Sequence, residues 1–242
     1  MEELVKAMRF ASPLISGKLI QRYKRFLAEV ALHSGEKITA ACANTGAMLG
    51  LNEPGSTVWL SRSESPTRKY QHTWELIEIP RLGLVGVNTG SPNRITAEAI
   101  RSGLLPELAG YESMQAEVKY GRNSRIDLLL EGLGRQPCYV EVKNAHLFRQ
   151  PGMVEFPDCV TERGRKHLHE MADMVRSGAR AAMVYLVQAA SPERFSLAED
   201  LDPSYLLAFR EARKAGVEAF ALCCNVTTTE ITANRAVPVQ VP

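Results

Sequence analysis

Arg125-Ile126-Asp127-Leu128-Leu129-Leu130-Glu131 and Cys138-Tyr139-Val140-Glu141-Val142-Lys143 read as two β-strands, and the residues between them decide how those strands pair. The connection Gly132-Leu133-Gly134-Arg135-Gln136-Pro137 is rich in turn formers, so a hairpin is predicted. With a three-residue loop centred on Gly134, facing residue numbers sum to 268, which sets Asp127 opposite Glu141. Two facing carboxylates repel by a few tenths to about 1 kcal/mol, and a cation removes the penalty. Side chains alternate along a strand, so Glu141 and Lys143 share one face, while Val140 and Val142 point with Ile126 and Leu128 to the other, towards a core. Hard oxygen donors with no histidine or cysteine near them suit Mg2+ or Mn2+, which hold a phosphate oxygen and activate water. Solvated acids on an open strand face fit the same spacing, and the pattern alone leaves both readings standing.

The flanks of the hairpin describe an α/β unit. A helix is expected over Ile95–Leu104, where Glu98 is a candidate third carboxylate for the metal, set against its more ordinary role as a solvated helix position. After a strand at Met114–Tyr120 and the hairpin comes a helix from Thr161 to Ser177, with Leu168, Met171, Ala172 and Val175 as its apolar stripe and Gly178 as its stop. Arg163 and Lys166 lie opposite that stripe with His167 on its flank, as candidate contacts to a phosphodiester backbone or as an ordinary solvated face. His167 and His169 are two apart, roughly 200° around a helix, which excludes a shared zinc ion. Ala181–Val187 is apolar on both faces, as a central parallel strand should be. Asp202-Pro203 opens another helix, Gly216 ends it, and Val217–Cys224 is a final strand. Together these elements predict an α/β domain with a mixed sheet.

The first part of the chain has little helical period. Leu19–Leu32 reads as one long strand turned back by His33-Ser34-Gly35-Glu36 into Lys37–Cys42, with further strands at Thr57–Ser61, Tyr70–Ile79 and Leu84–Asn88. Such a run of short strands suits a small closed barrel, of the OB or the SH3-like kind. In the first strand, Arg22-Tyr23-Lys24-Arg25-Phe26 interleaves rings and cations, as single-strand binding uses them; Phe26, Ala28 and Val30 are expected to point inward, and a charged edge strand accounts for the run equally well. Lys69, beside Arg68 and Tyr70, adds local positive charge. The boundary is expected near Val85–Gly90, giving domains at residues 1–86 and 87–242.

Composition constrains partners and compartment. The chain has 242 residues, 45% of them apolar, and a net charge of only +2, so any polyanion surface must be local. Met1–Pro13 carries Glu2, Glu3, Lys6 and Arg9 and no signal-peptide core, and no apolar run reaches membrane-spanning length. Five cysteines without a Cys-x-x-Cys spacing point to buried thiols in a reducing cytoplasm rather than to a zinc ribbon or disulfides.

Several stretches in order give the chain a family likeness: Leu19–Ala28, Asn44-Thr45-Gly46-Ala47-Met48, Arg68-Lys69-Tyr70, His72-Thr73-Trp74-Glu75, Glu117–Gly121, Ser124–Asp127, Glu141-Val142-Lys143, Phe156-Pro157-Asp158 and Thr161-Glu162-Arg163-Gly164. In these the chain resembles the sugar fermentation stimulation protein family, over nearly its whole length from Leu14. The resemblance implies an N-terminal OB-like barrel followed by an α/β domain similar to the PD-(D/E)xK nucleases, and DNA binding tied to regulation of maltose use. By position it carries the metal-binding acids onto Asp127 and Glu141 and the catalytic lysine onto Lys143. Three departures stand out: Ala43 before the Asn-Thr-Gly turn where proline is common, Ile126 where the nuclease signature has proline, and Ala145-His146 in place of Val-Thr.

Three functions follow as expectations. The first is a Mg2+- or Mn2+-dependent phosphodiesterase acting on DNA or RNA, with Arg22, Tyr23, Lys24, Arg25, Lys69, Arg163, Lys166 and His167 as nucleic-acid contacts. The second is a DNA-binding regulator that keeps the nuclease fold without turnover. The third, a sugar sensor, draws on the family name alone. No membrane partner is expected, and a homodimer is open.

Overall fold

A computed structural model describes residues 8–121 and 124–242. The charged positions Glu2, Glu3 and Lys6 lie outside the described residues. After β1 (Met8–Arg9) come β2 (Ile15–Tyr23), β3 (Leu27–Leu32), β4 (Lys37–Ala41), β5 (Thr57–Arg62), β6 (His72–Ile79) and β7 (Gly83–Gly86). Antiparallel pairing runs β4-β3-β2-β5-β6, and a short parallel contact, Ala40 with His72 and Ala41 with Thr73, closes β4 onto β6. A barrel whose third and fifth strands meet in parallel is the OB arrangement, and the SH3-like alternative falls. Its interior is filled by Leu19, Val30, Val58, Leu60, Trp74 and Ile77, each no more than 1% exposed.

One expectation for the barrel fails. The continuous strand over Leu19–Leu32 is a hairpin, with Tyr23 paired to Leu27 across a turn in which Lys24 and Arg25 have φ of 50° and 63°. Neither residue favours the left-handed region, so no glycine or asparagine announced the turn. Arg22 holds it instead, donating to the carbonyl of Arg25 at 2.7 Å and to those of Asn44 and Gly46 at 2.8 Å. The turn also moves Phe26 out of the core. It is 49% exposed, while Ala28 and Val30 are buried as expected.

The second unit contains α1 (Pro92–Arg101), a 3-10 turn at Pro106–Leu108, β8 (Ser113–Tyr120), β9 (Ser124–Glu131), β10 (Cys138–Asn144), β11 (Met153–Phe156), α2 (Glu162–Arg176), β12 (Arg180–Val187), β13 (Arg194–Leu197), α3 (Pro203–Ala215), β14 (Glu218–Val226), β15 (Glu230–Val237) and β16 (Val239–Gln240). Its main sheet is mixed, in the order β1-β15-β14-β12-β10-β9-β8, with β10, β12 and β14 parallel and the outer strands antiparallel; β11, β13 and β16 make a small parallel sheet. Thus Met8–Arg9 at the N-terminus pairs in the second sheet, against β15. Alternation along β12 shows the layers: Ala182, Val184 and Leu186 join α1 residues Ile95 and Ile100 on one face, and Ala181, Met183, Tyr185 and Val187 join α2 and α3 on the other. The second of these clusters continues through Val85, Val87 and Ala189 into the barrel interior, so barrel and sheet share a core.

The helices begin as their caps dictate. Thr161 accepts from Gly164 N at the start of α2, and Asp202 from Tyr205 N at the start of α3, which ends on Gly216 in the left-handed region. No helix among the described residues is long and apolar enough to cross a membrane.

A candidate metal and phosphodiester site

The register of the acidic hairpin is the expected one as far as it runs. Cys138 faces Leu130, Tyr139 faces Leu129 and Val140 faces Leu128. There the ladder stops, while β10 continues alongside β12 to Asn144. Asp127 does not complete a fourth pair opposite Glu141. Its Oδ2 accepts from Val142 N at 2.7 Å, so a side chain takes the place of the next backbone partner. The strand kinks at this point: Leu128 packs on the α1 side, whereas Ile126 packs with Tyr120 and Leu129 rather than sharing Leu128's face as alternation predicted. Across the kink, β8 also breaks its ladder at Glu117, whose φ is 55°. The opening between β9 and β10 is where the acids meet.

Glu141 projects to the α2 side and is 2% exposed. Its Oε1 accepts from Lys143 Nζ at 2.6 Å and also meets His167 Nδ1. Its Oε2 is buried and has no hydrogen-bond partner among the described residues. Burial pushes the Glu141 carboxyl up, but the contacts from His167 and Lys143 outweigh it and leave the pKa below the ordinary value. Asp127 goes the other way. Burial and the Glu141 charge raise it to about 6, against the pull of Val142 N–H, Lys143 and the Asn93 amide, which donates to Oδ1 at 2.8 Å. Two carboxylates are therefore held together without enough positive charge for both, and a bare buried oxygen marks where a cation fits.

The other expected members are dispersed. Glu98 is paired with Arg94 at 3.1 Å, one turn along α1, and the helix residue that reaches Asp127 is Asn93. Among the described residues no three His, Cys, Asp or Glu side chains converge as a ready metal cage. His167 is not on an open flank. It is 4% exposed, because that side of α2 lies on β10, and Arg163 Nε donates to its Nε2 at 3.4 Å. Lys166 is exposed and 3.8 Å from Glu170. Arg22 is spent on the turn and the 44–47 loop, and Tyr23 Oη lies 3.4 Å from Thr39 Oγ1. Lys24 and Arg25 are exposed at the hairpin tip, and Lys69 is exposed over the Tyr70 ring in the β5–β6 loop.

Two further residues, one facing the acids and one packed beside it, were not singled out in the sequence. Tyr120 is buried with its hydroxyl unpartnered among the described residues, and burial followed by the charges of Glu141, Glu170 and Asp127 raises its pKa. Glu170, a turn beyond His167, is 8% exposed. Position 120 ends a strand and position 170 sits among the helix's charged residues, so neither pattern flagged them; only the fold brings Tyr120 onto Tyr139 of β10 and Glu170 onto Gly121.

The family model described as the SfsA N-terminal OB domain matches residues 20–87, and that of the sugar fermentation stimulation protein RE domain matches residues 90–230. The chain belongs to the sugar fermentation stimulation protein family. It is 54% identical over 233 residues to the sugar fermentation stimulation protein homologs of Brucella anthropi and Brucella ovis, covering 96% of this chain and 100% and 98% of theirs. A solved structure, that of Pyrococcus furiosus SfsA in complex with Ca2+, matches 97% of this chain and 99% of its own with a TM-score of 0.87 at 26% identity.

Two of the stretches that carry the family likeness meet at the seam between barrel and sheet. Asp158 Oδ2 accepts from Met48 N at 2.8 Å and lies 3.2 Å from His146 Nε2, which in turn is 3.3 Å from the Asn44 amide. Gly46 is packed so closely that a Cβ there would stand 2.9 Å from Asp158 Oδ2. Burial raises the Asp158 carboxyl, and the His146 and Met48 contacts overturn that and bring it down to about 2. Gln188 adds a second tie, donating to Asn88 O at 3.1 Å and Asn144 Oδ1 at 2.9 Å. The family's Asn-Thr-Gly and Phe-Pro-Asp stretches thus fix the barrel against the strand that bears Glu141 and Lys143.

Proposed function

We propose that this chain is a divalent-metal-dependent phosphodiesterase of nucleic acid, with DNA as its first substrate class and RNA as the second. The observation that carries the proposal is the buried, underneutralised pair Asp127 and Glu141 with Lys143 beside it. Each carboxylate oxygen keeps lone pairs beyond its present hydrogen bonds, so Asp127 and Glu141 Oε2 have the hard donors that Mg2+ or Mn2+ takes. The Ca2+ in the Pyrococcus furiosus relative supports a divalent ion in the same chemistry. When bound, such an ion polarises the phosphodiester and lowers the pKa of a water. Lys143, anchored on Glu141 by one N–H, keeps two donors for the water or for a non-bridging phosphate oxygen.

The barrel supplies the grip. In OB barrels the loops joining strands one to two and four to five flank the oligonucleotide face. Here these are the Lys24-Arg25-Phe26 tip and the loop holding Lys69. An exposed ring beside exposed cations suits stacking on a base with phosphates alongside. Arg163 and Lys166, exposed on the first turns of α2, continue the positive charge towards Glu141.

Cleavage tests the proposal. The protein is incubated with single-stranded and duplex DNA, RNA and hybrids in Mg2+, Mn2+ or EDTA, beside Asp127→Asn made identically. Metal-dependent cleavage lost in the variant supports it; no cleavage of any substrate removes the catalytic claim. A second reading, a DNA-binding regulator without turnover, draws on the lack of a third converging acid among the described residues, and predicts binding that survives both EDTA and Asp127→Asn.

A further inference from the structure

We propose that His167 is a positioning residue for the metal-binding carboxylate, fixing Glu141 through Oε1 so that Oε2 alone is presented to the cation. The inference rests on the reading of Asp127 and Glu141 as ligands. It also reassigns a residue whose place on a basic helix pointed to phosphate contact.

The hydrogen bonds have one consistent direction. Arg163 Nε–H donates to His167 Nε2, so that nitrogen is the acceptor and the imidazole proton is on Nδ1, where it is given to Glu141 Oε1. Lys143 Nζ binds the same oxygen at 2.6 Å. Glu141 therefore has two donors on one oxygen and none among the described residues on the other. A carboxylate buried only for structure is satisfied on both sides; this one is clamped on one side and bare on the other. The imidazole cannot serve as a phosphate ligand at the same time, since it is 4% exposed and both ring nitrogens are engaged. Arg163 is left half in each role: its Nε orients the imidazole, and its exposed guanidinium end lies where a phosphodiester would reach α2. Groups that orient ligating carboxylates in this way typically change metal affinity by about 10- to 100-fold when removed.

The test is calorimetric titration of the whole chain with Mn2+ alone. His167→Ala is expected to weaken Mn2+ binding at least about tenfold. His167→Asn, which places an N–H where Nδ1 stood, is expected to stay within about threefold of wild type, and His169→Ala, on the exposed face, to leave binding unchanged. Wild-type affinity in His167→Ala overturns the proposal, as does an Asn variant as weak as the Ala variant. Asp127→Ala separates this failure from failure of the site itself: if it binds Mn2+ like wild type, or if wild type binds none, the ligand assignment falls and the proposal with it. A readout free of both metal and mutation guards against a variant that does not fold. The 15N NMR spectrum of histidine-labelled wild-type protein should show His167 protonated on Nδ1 and not on Nε2, and a proton on Nε2 overturns the proposal.

Discussion

Replacing Asp127 by Asn should make the metal-free protein more stable, by an amount that depends on pH. Asn approximates the protonated acid in shape and donors, so the variant lacks whatever it costs to ionise Asp127 in the fold. The native carboxyl is raised from 3.8 to about 6 by burial and by the Glu141 charge; at about 1.4 kcal/mol per pH unit the difference is about 3 kcal/mol. The sign follows from linkage. Asp127 holds its proton more tightly folded than unfolded, so its contribution is most favourable below pH 3.8, declines as the pH rises, and is lost once the pH passes about 6. Urea unfolding in EDTA should therefore show Asp127→Asn more stable by up to about 3 kcal/mol at pH 7.5, with the gap closing towards pH 3.5. Mg2+ should reverse the order, because an ion at about 1,000 times its Kd adds about 4.1 kcal/mol to wild type, more than the gap, and little to the variant. A gap that ignores pH, or a variant less stable at pH 7.5 in EDTA, would refute the claim that the acids are held together underneutralised.

Other outcomes follow from the same geometry. Lys143→Met should lower metal-dependent cleavage by about 100-fold or more, a loss larger than any change in Mn2+ affinity, as paired turnover and calorimetry would show. Phe26→Ala should weaken single-stranded oligonucleotide binding by about 1–3 kcal/mol, and Lys24→Ala with Arg25→Ala should reduce the salt slope by about 0.7 for each phosphate that is no longer neutralised; binding unaltered by all three would take the hairpin tip out of the interface. Asp202, 2% exposed, accepts from Thr161 N, Tyr205 N and Arg165 at 2.8, 2.9 and 3.3 Å and so caps one helix while steadying the entry to another. Asp202→Ala should cost about 2–3 kcal/mol in urea unfolding.

Much of the second domain was legible because its elements obey single rules. Ala181–Val187 is apolar at every position and lies between two helical layers; Thr161 and Asp202 stand where caps belong. The hairpin shows where such rules end. Turn chemistry at Gly134 set the register correctly for three pairs, but no alternation rule foretells that the Asp127 side chain will replace a backbone acceptor and turn Ile126 to the other face. Lys24 and Arg25 illustrate a second limit, since a turn held by a distant arginine leaves no local signature. Helical periodicity described α2 well and still misplaced His167: a wheel reports which face is apolar, whereas burial of a polar flank depends on the strand laid against it. Glu98 failed for the related reason that a helix brings only one turn near a given strand end, and here that turn holds Asn93.

Crystals of the protein soaked in Mn2+ and measured for anomalous scattering give the most direct test. A cation site shared by the two acids predicts one strong peak between Asp127 and Glu141, about 2.1–2.2 Å from the nearest carboxylate oxygens, with Glu141 Oε2 among its ligands and Oε1 still on Lys143 and His167. A peak only elsewhere, or none at saturating Mn2+, would contradict it.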